Sequence, residues 1–257
     1  RQDRRGRLTP FFLDLVKILI TGGSAGIGAA TARLAADEGR DVILTYATSR
    51  DAAEEVAGYV RSKGRKATVI QCDTGVPGDI DALFAALPTD TAIDLVNNAG
   101  IVGMTAKVAD LTAQRLSRIF AVNVVGAILV AKGAVAHMRA APERGHIVNI
   151  SSAAARLGSG NQYIDYAATK GALDTFTIGL ADELAAEGIR VNAVRPGIIE
   201  TGLHAKGGEP DRVARISPMV PMRRPGSAEE VARAILWLLS DEASYTTKNF
   251  MEVSGGR

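Results

Sequence analysis

The sequence predicts an α/β fold, a single-domain doubly wound parallel sheet of about seven strands with helices on both faces. Short apolar runs alternate with helical patterns along the whole chain, and short, continuously apolar strands are typical of parallel sheets buried on both faces. The 257 residues suit one such domain. A hydrophobic content of 47% with only 5% aromatic residues suits helices packed on a parallel sheet. Right-handed crossovers between successive strands then place helices on both faces.

The individual elements follow from the apolar runs and the spacing between them. Strands are predicted at Val16–Ile20, Val42–Tyr46, Ala67–Gln71, Ile93–Val96, His146–Ile150, Ile189–Val194 and Phe250–Val253. Helices are predicted at about Gly26–Glu38, Arg50–Lys63, Asp79–Leu87, Ala113–Arg139, Tyr163–Glu187 and Ala228–Ser240. The one long irregular stretch, Pro196–Gly226, is rich in Gly, Pro and Arg, and a loop of this length in a compact domain usually covers a functional site.

The N-terminal segment differs in character from the rest of the chain. Residues 1–7 carry four arginines and one acidic residue, Asp3, so their positive charge exceeds the net charge of +2 of the whole chain. The rest of the chain is therefore not basic, which argues against a nucleic-acid partner. The apolar run that follows is short, contains Asp14 and lacks a small-residue cleavage site, which argues against a signal peptide. We expect residues 1–15 to be an extension or an engineered remnant and residues 16–257 to form the domain.

Cysteine and histidine usage excludes several classes of protein. The single Cys72 rules out an internal disulfide framework, fits a reducing compartment such as the cytoplasm, and is expected to be a small buried core residue. The three histidines show no metal-ligand spacing, so no metal site is predicted. No segment is expected to have the roughly 18 apolar residues that a membrane span needs.

A tyrosine and a lysine four residues apart, Tyr166 and Lys170, lie on one face of a predicted helix. Free tyrosine titrates near pH ~10, and a nearby ammonium group lowers that pKa, so the pair can act as a general acid/base. A serine on another element, such as Ser152, could then hold the reacting oxygen. A pair with this spacing is also common on ordinary helix surfaces, so the spacing alone does not distinguish a catalytic pair from a surface pair.

A glycine-rich turn, Thr21-Gly-Gly-Ser-Ala-Gly-Ile-Gly28, joins the first strand to the first helix. Glycines there allow a tight turn and close approach of the main chain to a pyrophosphate, and the helix N-terminus supplies unpaired N–H groups. Such turns also serve as plain connections. The position between strand one and helix one nevertheless favours a nucleotide site.

Several motifs occur in a characteristic order. After the glycine turn come Asn97-Asn-Ala-Gly100, Asn123 within Ala-Val-Asn-Val, Ser152 in Ile-Ser-Ser, Tyr166-x-x-x-Lys170 and Arg195-Pro-Gly197. From about residue 16 to 257 the chain resembles the classical short-chain dehydrogenases/reductases, in particular members of the 3-oxoacyl-carrier-protein reductase and glucose dehydrogenase kind. The resemblance implies a Rossmann-type fold and an oxidoreductase that interconverts a carbonyl and a secondary alcohol. It also implies a homo-oligomer, a tetramer or dimer.

The resemblance also assigns roles to the catalytic candidates. It implies that Tyr166 is the acid/base, that Ser152 hydrogen-bonds the substrate oxygen, and that Lys170 lowers the tyrosine pKa and binds the nicotinamide ribose. Asn123 would hold a water that continues the proton relay. Ser151 is the competing serine, but Ser152 lies nearer the family's spacing to the tyrosine. Tyr163 has no lysine four residues later.

The cofactor contacts are likewise implied by the resemblance. Asn97, Ala99 and Gly100 would pass beside the adenosine half, and Asp73 would meet the adenine, although an acidic residue there also serves as a strand-end cap. The full set of expected contacts is Gly22, Ser24, Gly26, Ile27, Gly28, Thr48, Ser49, Arg50, Asp73, Asn97, Ala99, Gly100, Tyr166, Lys170, Pro196, Gly197, Ile199 and Thr201.

The end of the second strand bears on the choice between NAD and NADP. NAD-specific enzymes of this fold place an acidic residue there, on the ribose 2′-OH. Here Thr48, Ser49 and Arg50 stand in its place, and hydroxyls with a guanidinium can receive a 2′-phosphate. Arg50 could instead be a solvated residue at a helix start, and Ala25 stands where many NADP enzymes of the family carry a base. We predict a preference for NADP(H), with NAD(H) as the alternative.

Two positions depart from the family pattern. Ile93-Asp-Leu-Val-Asn97 is one residue shorter than usual, and we expect the preceding loop, Pro88–Ala92, to absorb the shift, because a slip within the strand would reverse its faces. Lys248 replaces a glycine near the C-terminus. If that position has a positive φ, the lysine costs roughly 1 kcal/mol or more and could weaken the last strand.

The substrate is not identified by the sequence. The family's substrate loop matches Ile198–Pro225, where His204, Met219 and Met222 stand beside Arg212, Arg215, Arg223 and Arg224. These arginines could attract an acidic substrate, but a solvated face is expected, since charged residues are mostly exposed. Arg156, Leu157 and Gln162 are expected to line the entrance. The competing function is a cofactor-binding regulator or scaffold without turnover, against which the intact catalytic set argues.

Overall fold

The computed structural model describes residues 16–88, 92–141, 145–202 and 207–257, so the N-terminal segment 1–15 lies outside the described residues. Seven parallel strands form one sheet in the order β3-β2-β1-β4-β5-β6-β7. They are β1 (Val16–Ile20), β2 (Val42–Tyr46), β3 (Ala67–Gln71), β4 (Ala92–Asn97), β5 (Ile147–Ile150), β6 (Val191–Pro196) and β7 (Phe250–Val253). The strand order reverses direction between β1 and β4, and ligands of such sheets bind at the carboxyl ends of the strands at this point.

The helices connect these strands in the expected alternation. They are α1 (Gly26–Asp37), α2 (Arg50–Ser62), α3 (Pro77–Ala85), α4 (Ala113–Phe120), α5 (Ala127–Ala140), α6 (Ala154–Leu157), α7 (Ile164–Leu184), α8 (Arg212–Ile216) and α9 (Ala228–Leu239). Helices α1, α2 and α9 pack on one face of the sheet, and α3, α5 and α7 pack on the other. The predicted doubly wound parallel sheet is therefore confirmed.

The central strands are buried on both faces, as their apolar composition predicts. Ile18 and Ile20 of β1 belong to the core under α1, α2 and α9, whereas Leu19 between them belongs to the opposite core. All three side chains have no exposed surface. The alternation follows from the period of two along a strand, and it fixes the register of β1 against its neighbours.

Helices α4 and α5 form one continuous helical segment, joined by a π-helical turn at Ala121–Gly126. The predicted helix Ala113–Arg139 is thus interrupted by a wider turn that no local sequence signal revealed. By length and mean hydropathy the 28 residues Ala113–Ala140 pass for a membrane span, contrary to the sequence expectation. Half of the apolar window is buried inside the fold, and the buried side chains serve core packing.

The one-residue shortening before Asn97 does not disturb the register of β4. Leu95 and Val96 pair with Leu19 and Ile20 of β1, so the strand presents its faces correctly. Part of the loop expected to absorb the shift, residues 89–91, lies outside the described residues. Asp94 occupies a buried position in β4, where its carboxylate forms an ion pair with Arg40 and accepts a hydrogen bond of 2.6 Å from the His146 N–H.

Two further expectations concern single residues. Lys248 has a φ of 60°, which confirms the strained conformation, yet β7 still forms and pairs with β6, and the Lys248 ammonium lies 2.7 Å from Asp182. Cys72 is 3% exposed, and burial raises the pKa of its thiol to about 11. It is therefore the buried core residue that the sequence predicts.

Candidate active site

The glycine turn after β1 is packed so tightly that side chains could not be added. Gly22 and Gly26 have φ values of 64° and 53°, which an L-residue rarely adopts. A Cβ atom on Gly28 would lie 2.5 Å from the Gly22 carbonyl oxygen. Helix α1 begins directly afterwards, and no side chain caps its first N–H groups. The turn thus offers exposed main-chain donors at the positive end of a helix.

The turn is held in shape by residues from the adjacent strands. The Asn98 side-chain amide donates hydrogen bonds to the carbonyl oxygens of Thr21 (2.8 Å) and Gly22 (3.1 Å). The Thr21 hydroxyl accepts from the N–H groups of Asn98 and Ala99, both at 2.9 Å, and the Gly22 N–H donates to the Thr45 hydroxyl at 3.2 Å. Asn98 and Thr45 are functional residues that the sequence analysis did not single out, although Asn98 stands inside the quoted Asn97–Gly100 motif.

The residues beside the glycine turn differ in their burial and in their contacts. Ser24 is half-buried in the turn, and Ile27 packs partly against the core under α1. Asn97, an expected cofactor contact, is 3% exposed, and its amide donates to the Ala127 carbonyl (2.9 Å) and to Asn149 (3.1 Å). Both amide hydrogens of Asn97 are therefore used within the core.

Tyr166 and Lys170 lie one turn apart near the start of α7, as their spacing predicts. The Lys170 ammonium is 5.6 Å from the centre of the Tyr166 ring and donates a hydrogen bond of 2.7 Å to the Ile150 carbonyl at the end of β5. Gly100 lies against the same group, since a Cβ atom there would be 3.5 Å from Lys170 Nζ. Lys170 is thereby fixed between the ends of β4 and β5.

Asn123 lies inside the π turn and joins three parts of the site. Its amide nitrogen donates to the Ile101 carbonyl (2.9 Å) and to the Thr169 hydroxyl (3.1 Å), and its amide oxygen accepts from the Ile101 N–H (2.9 Å). The side chain is 1% exposed. Asn123 therefore clamps the loop after β4 to the helix turn that carries Lys170.

The two candidate serines after β5 point to different surroundings. The Ser152 hydroxyl hydrogen-bonds with Tyr166 and also accepts from the Ala154 N–H at 3.1 Å. Ser151 is 2% exposed and lies 3.5 Å from the Lys170 main-chain carbonyl, which it faces from inside the fold. The geometry thus brings Ser152, and not Ser151, to the phenol.

The pKa values of the pair differ from the sequence expectation. Burial raises the pKa of Tyr166 to about 12, only partly offset by its hydrogen bond with Ser152. Burial also lowers the pKa of Lys170 to about 8, against the opposing influence of Asp174 one turn further along α7. The expected lowering of the tyrosine pKa by Lys170 is absent: desolvation of the phenol raises the value, and the influence that opposes it is the hydrogen bond with Ser152.

The residues after β2, which we expect near the 2′-position of the cofactor ribose, are open to solvent. Thr48, Ser49 and Arg50 are all exposed, and Arg50 begins α2. The structure gives Ser49 no hydrogen bond to the first turn of α2. The hydroxyls and the guanidinium therefore lie together at the rim of the site.

Asp73, expected at the adenine, is already partly engaged. Its carboxylate accepts from Arg118 at 2.7 Å and from the Gly75 N–H at 2.9 Å. Burial raises the pKa of Asp73, but these two hydrogen bonds outweigh it and hold the value below the usual range. Both the capping and the functional interpretation of Asp73 remain consistent with this geometry.

The segment after β6 returns to the glycine turn. Pro196 ends β6, and Gly197 packs so closely on Ser254 that a Cβ atom would lie 2.7 Å from its Cα. Ile199 bridges to Gly226. Thr201 lies against Gly26, since a Cβ atom there would be 3.3 Å from its methyl group. These contacts bring the expected residues Pro196, Gly197, Ile199 and Thr201 to the cofactor side of the crevice.

The substrate loop, residues 198–225, lies beyond this point, and its His204 falls outside the described residues. A cleft of about 630 Å³ lies between Thr201 and the segment that contains α8. Met219 and Met222 are 69% and 59% exposed. At the entrance, Leu157 is 44% exposed, while Arg156 lies 3.6 Å from Glu252.

Of the loop arginines, three are exposed, namely Arg215, Arg223 and Arg224. Arg212 is the exception, at 5% exposed. The expectation of a solvated face is therefore wrong for Arg212, which packs against Gln162 and Tyr163 at the start of α7.

A second buried arginine contact was also missed. Arg115 of α4 forms a two-pronged ion pair with Asp165, with distances of 2.7 and 3.2 Å, and the Asp165 side chain has no exposed surface. Asp165 directly precedes Tyr166 in the chain. The pair therefore fixes the first turn of α7 to α4. Nothing in the local sequence shows that these two charged residues form an ion pair.

The residues present fit a dinucleotide. The glycine turn leaves room only for main chain, and α1, which no side chain caps, supplies a positive dipole end suited to a pyrophosphate. Lys170 and Gly100 lie together near the Tyr166 phenol, after β4 and β5.

Comparison with known proteins agrees with this geometry. Residues 22–257 match the family described as enoyl-(acyl carrier protein) reductase. The chain is 49% identical over 243 residues to the oxidoreductase YgfF of Escherichia coli K12, covering 93% of this chain and 98% of that protein. It is 33% identical to glucose 1-dehydrogenase 2 of Bacillus subtilis, covering 93% of each. A short-chain dehydrogenase of Burkholderia cenocepacia, solved with NADP, superposes with a TM-score of 0.85 at 31% identity, over 95% of this chain and 98% of that one.

Proposed function

The chain belongs to the short-chain dehydrogenase/reductase family and is an NAD(P)-dependent oxidoreductase, and from this premise we propose that it interconverts a carbonyl and a secondary alcohol with Tyr166 as the acid/base. The observation that carries the proposal is the convergence of Ser152, Tyr166, Lys170 and Asn123 at the carboxyl ends of β4 and β5. NADP(H), when bound, supplies or accepts the hydride, so the protein has only to orient the reactants and manage one proton.

The proton is managed by the phenol and its neighbours. A Tyr166 pKa of about 12 keeps the phenol protonated at neutral pH, which is the form that donates to a carbonyl oxygen during reduction. The Ser152 hydroxyl, already hydrogen-bonded with the phenol, holds that oxygen beside it. Lys170, with a pKa of about 8, stays mostly charged at neutral pH, so its ammonium group can donate a hydrogen bond to the nicotinamide ribose when the cofactor is bound.

The position of Asn123 in the π turn suits its role in the proton relay. Because its amide group is occupied by Ile101 and Thr169, a relay water would be held by its main-chain carbonyl in the π turn. Such widened turns are common at functional sites.

Replacing Tyr166 with Phe tests the proposal. Tyr166→Phe removes the proton donor and keeps the ring, so we expect kcat on a carbonyl panel to fall about 10²- to 10⁴-fold while NADPH binding, followed by its fluorescence, changes little. The control is Tyr59→Phe, the same change on the surface of α2. Unchanged turnover in Tyr166→Phe would refute the role of Tyr166. A biological function that survives this change would favour the alternative, a cofactor-binding regulator or scaffold without turnover.

We further propose that NADP(H) is preferred over NAD(H). The support is the cluster of Thr48, Ser49 and Arg50 at the end of β2, exposed and without a carboxylate where NAD enzymes place one. Steady-state rates with NADPH and NADH test this, and we expect kcat/KM for NADPH to be higher and to drop in Arg50→Ala. A tenfold preference for NADH, about 1.4 kcal/mol, would contradict it.

Finally, we propose a homo-oligomer, a tetramer or dimer, in a reducing compartment such as the cytoplasm. Exposed apolar side chains on the long helical segments, Phe120, Val125 and Ile178, support an association surface. The reducing compartment is supported by a single, buried cysteine. A monomeric mass in light scattering would contradict the oligomer.

A further inference from the structure

Arg212, at the start of α8, is a buried charge for which the proposed reaction has no use. Its side chain is 5% exposed, whereas the neighbouring loop arginines lie in solvent. Burying a guanidinium group is costly unless its donors and its charge are matched. The partners of Arg212 therefore indicate whether it is a structural residue or part of a binding site.

The protein satisfies only one edge of the Arg212 guanidinium. Nη1 donates to Gln162 Oε1 at 2.6 Å and lies 3.7 Å from a Glu209 oxygen, and the group stacks 4.8 Å above the centre of the Tyr163 ring. Nε is buried and has no hydrogen-bond acceptor among the described residues. Nε is therefore an unpaired buried donor, of the kind that a carboxylate held through two parallel donors would satisfy.

The negative charge near Arg212 is shared with other groups. Glu209 also forms an ion pair with Arg215 and a hydrogen bond with the Thr105 hydroxyl. Asp211, at the N-terminus of α8, is exposed and makes no capping hydrogen bond. Glu209, the carboxylate that pairs with Arg212, is thus shared with Arg215.

A second cation lies close to Arg212. Burial and the charge of Arg212 both lower the pKa of the Arg257 guanidinium. No hydrogen bond or ion pair to that guanidinium is found in the part of the chain that the structure describes. The Arg257 carbonyl accepts from Arg156 of α6 at 2.8 Å, which places the end of the chain beside the helix that follows Ser152. Arg212 is buried and Arg257 is half-buried, and two cations that repel each other in this way are typical of a site that receives an anion.

This pair of arginines adjoins the reacting groups. Gln162 and Tyr163, which contact Arg212, precede Tyr166 by one helical turn, and Ala106 of the loop after β4 donates to the Gln162 carbonyl at 2.9 Å. Arg212 therefore contacts the residues that lead directly into the helical turn that carries Tyr166.

We propose that Arg212, with Arg257 beside it, binds a carboxylate of the substrate, so that the enzyme prefers oxo acids to neutral carbonyl compounds. This inference rests on the proposed function of the same site. It assigns Arg212 to specificity, whereas Tyr166, Ser152 and Lys170 act on the carbonyl.

Matched pairs of acid and ester test the inference. The probes are straight-chain 3-oxo, 4-oxo and 5-oxo carboxylates and their methyl esters, followed by NADPH consumption. We expect kcat/KM for at least one acid to exceed that of its ester tenfold or more, mainly through a lower KM. Arg212→Gln should abolish the difference by weakening the acid alone, and Arg212→Lys should retain part of it. Arg223→Gln, which removes an exposed arginine of the same loop that does not pair with Glu209, should leave the ratio unchanged.

A binding measurement separates this inference from the proposed function. Calorimetric titration of the same pairs into Tyr166→Phe saturated with NADPH reports affinity without turnover. Tighter binding of an acid, lost in Tyr166→Phe/Arg212→Gln, supports the carboxylate site even if no carbonyl is reduced. Equal affinity of Tyr166→Phe for acids and esters would overturn it, as would a loss in Tyr166→Phe/Arg212→Gln that affects both alike. If Arg212→Gln does not fold, the acid-to-ester ratios of the wild-type protein and Arg212→Lys decide.

Discussion

At the scale of single residues, the clearest result concerns the charges of Tyr166 and Lys170. Sequence spacing indicates that they are neighbours, and the structure agrees, but spacing contains no information on burial. Burial raises the pKa of Tyr166 to about 12 and lowers that of Lys170 to about 8. The phenol is therefore protonated at neutral pH.

A second titratable residue, His146, should make the fold sensitive to acid. It lies just before β5, and its Nδ1 accepts from the Arg190 N–H at 3.3 Å. Burial lowers the pKa of His146 below its usual value; Asp94 and Asp241 oppose the effect, and Arg190 and Arg40 add to it. As the pH falls below about 6.5, the unfolded chain takes up the proton first, so the folded state loses stability.

Urea unfolding at pH 7.5, 6.5 and 5.5 measures this effect. We expect the wild-type free energy of unfolding to fall by at most about 1.4 kcal/mol per pH unit below pH 6.5 on account of His146. In His146→Gln that part of the pH dependence should disappear. Parallel decreases in both proteins would show that other groups are responsible.

At the scale of elements, the π turn between α4 and α5 is the feature that organises the site. It carries Asn123, whose side chain joins the loop after β4 to Thr169 on α7. The turn can pass the segment after β3 only because it ends in glycine, since a Cβ atom on Gly126 would lie 2.0 Å from the Thr74 carbonyl oxygen. A close contact with main chain, unlike one with a flexible side chain, cannot relax at low cost.

Gly126→Ala should therefore displace the turn. We expect a loss of about 2 kcal/mol or more in the free energy of unfolding, together with a lower kcat, because Asn123 would move with the backbone. Chemical denaturation and steady-state kinetics measure the two effects. The control is Gly179→Ala in α7, where a Cβ atom meets nothing within 4 Å and the change should stabilise the helix by up to about 1 kcal/mol. A Gly126→Ala protein as stable as wild type would contradict the steric argument.

At the scale of the whole molecule, the sheet was predictable and several site contacts were not. Apolar runs such as Ile18–Ile20 set both the strands and their faces, and alternation with helices set the parallel topology. Motif order then placed Ser152, Tyr166 and Lys170 at one edge of the sheet. The hydrogen bonds of Asn98 to the glycine turn and the burial of Arg212 depend on residues that are distant in the sequence. The sequence around a polar or charged residue does not show which distant residue it will contact.

Two parts of the expected cofactor site differ in how they are built. Around Gly22 and Gly28 the main chain packs against main chain, so an added Cβ atom would lie too close to backbone atoms. At Thr48–Arg50 three side chains are exposed, and none of them forms a side-chain hydrogen bond or ion pair among the residues that the structure describes. We therefore expect substitutions at these three positions to be able to change the cofactor preference without altering the core, whereas the shape of the glycine turn is set by the packing of the backbone.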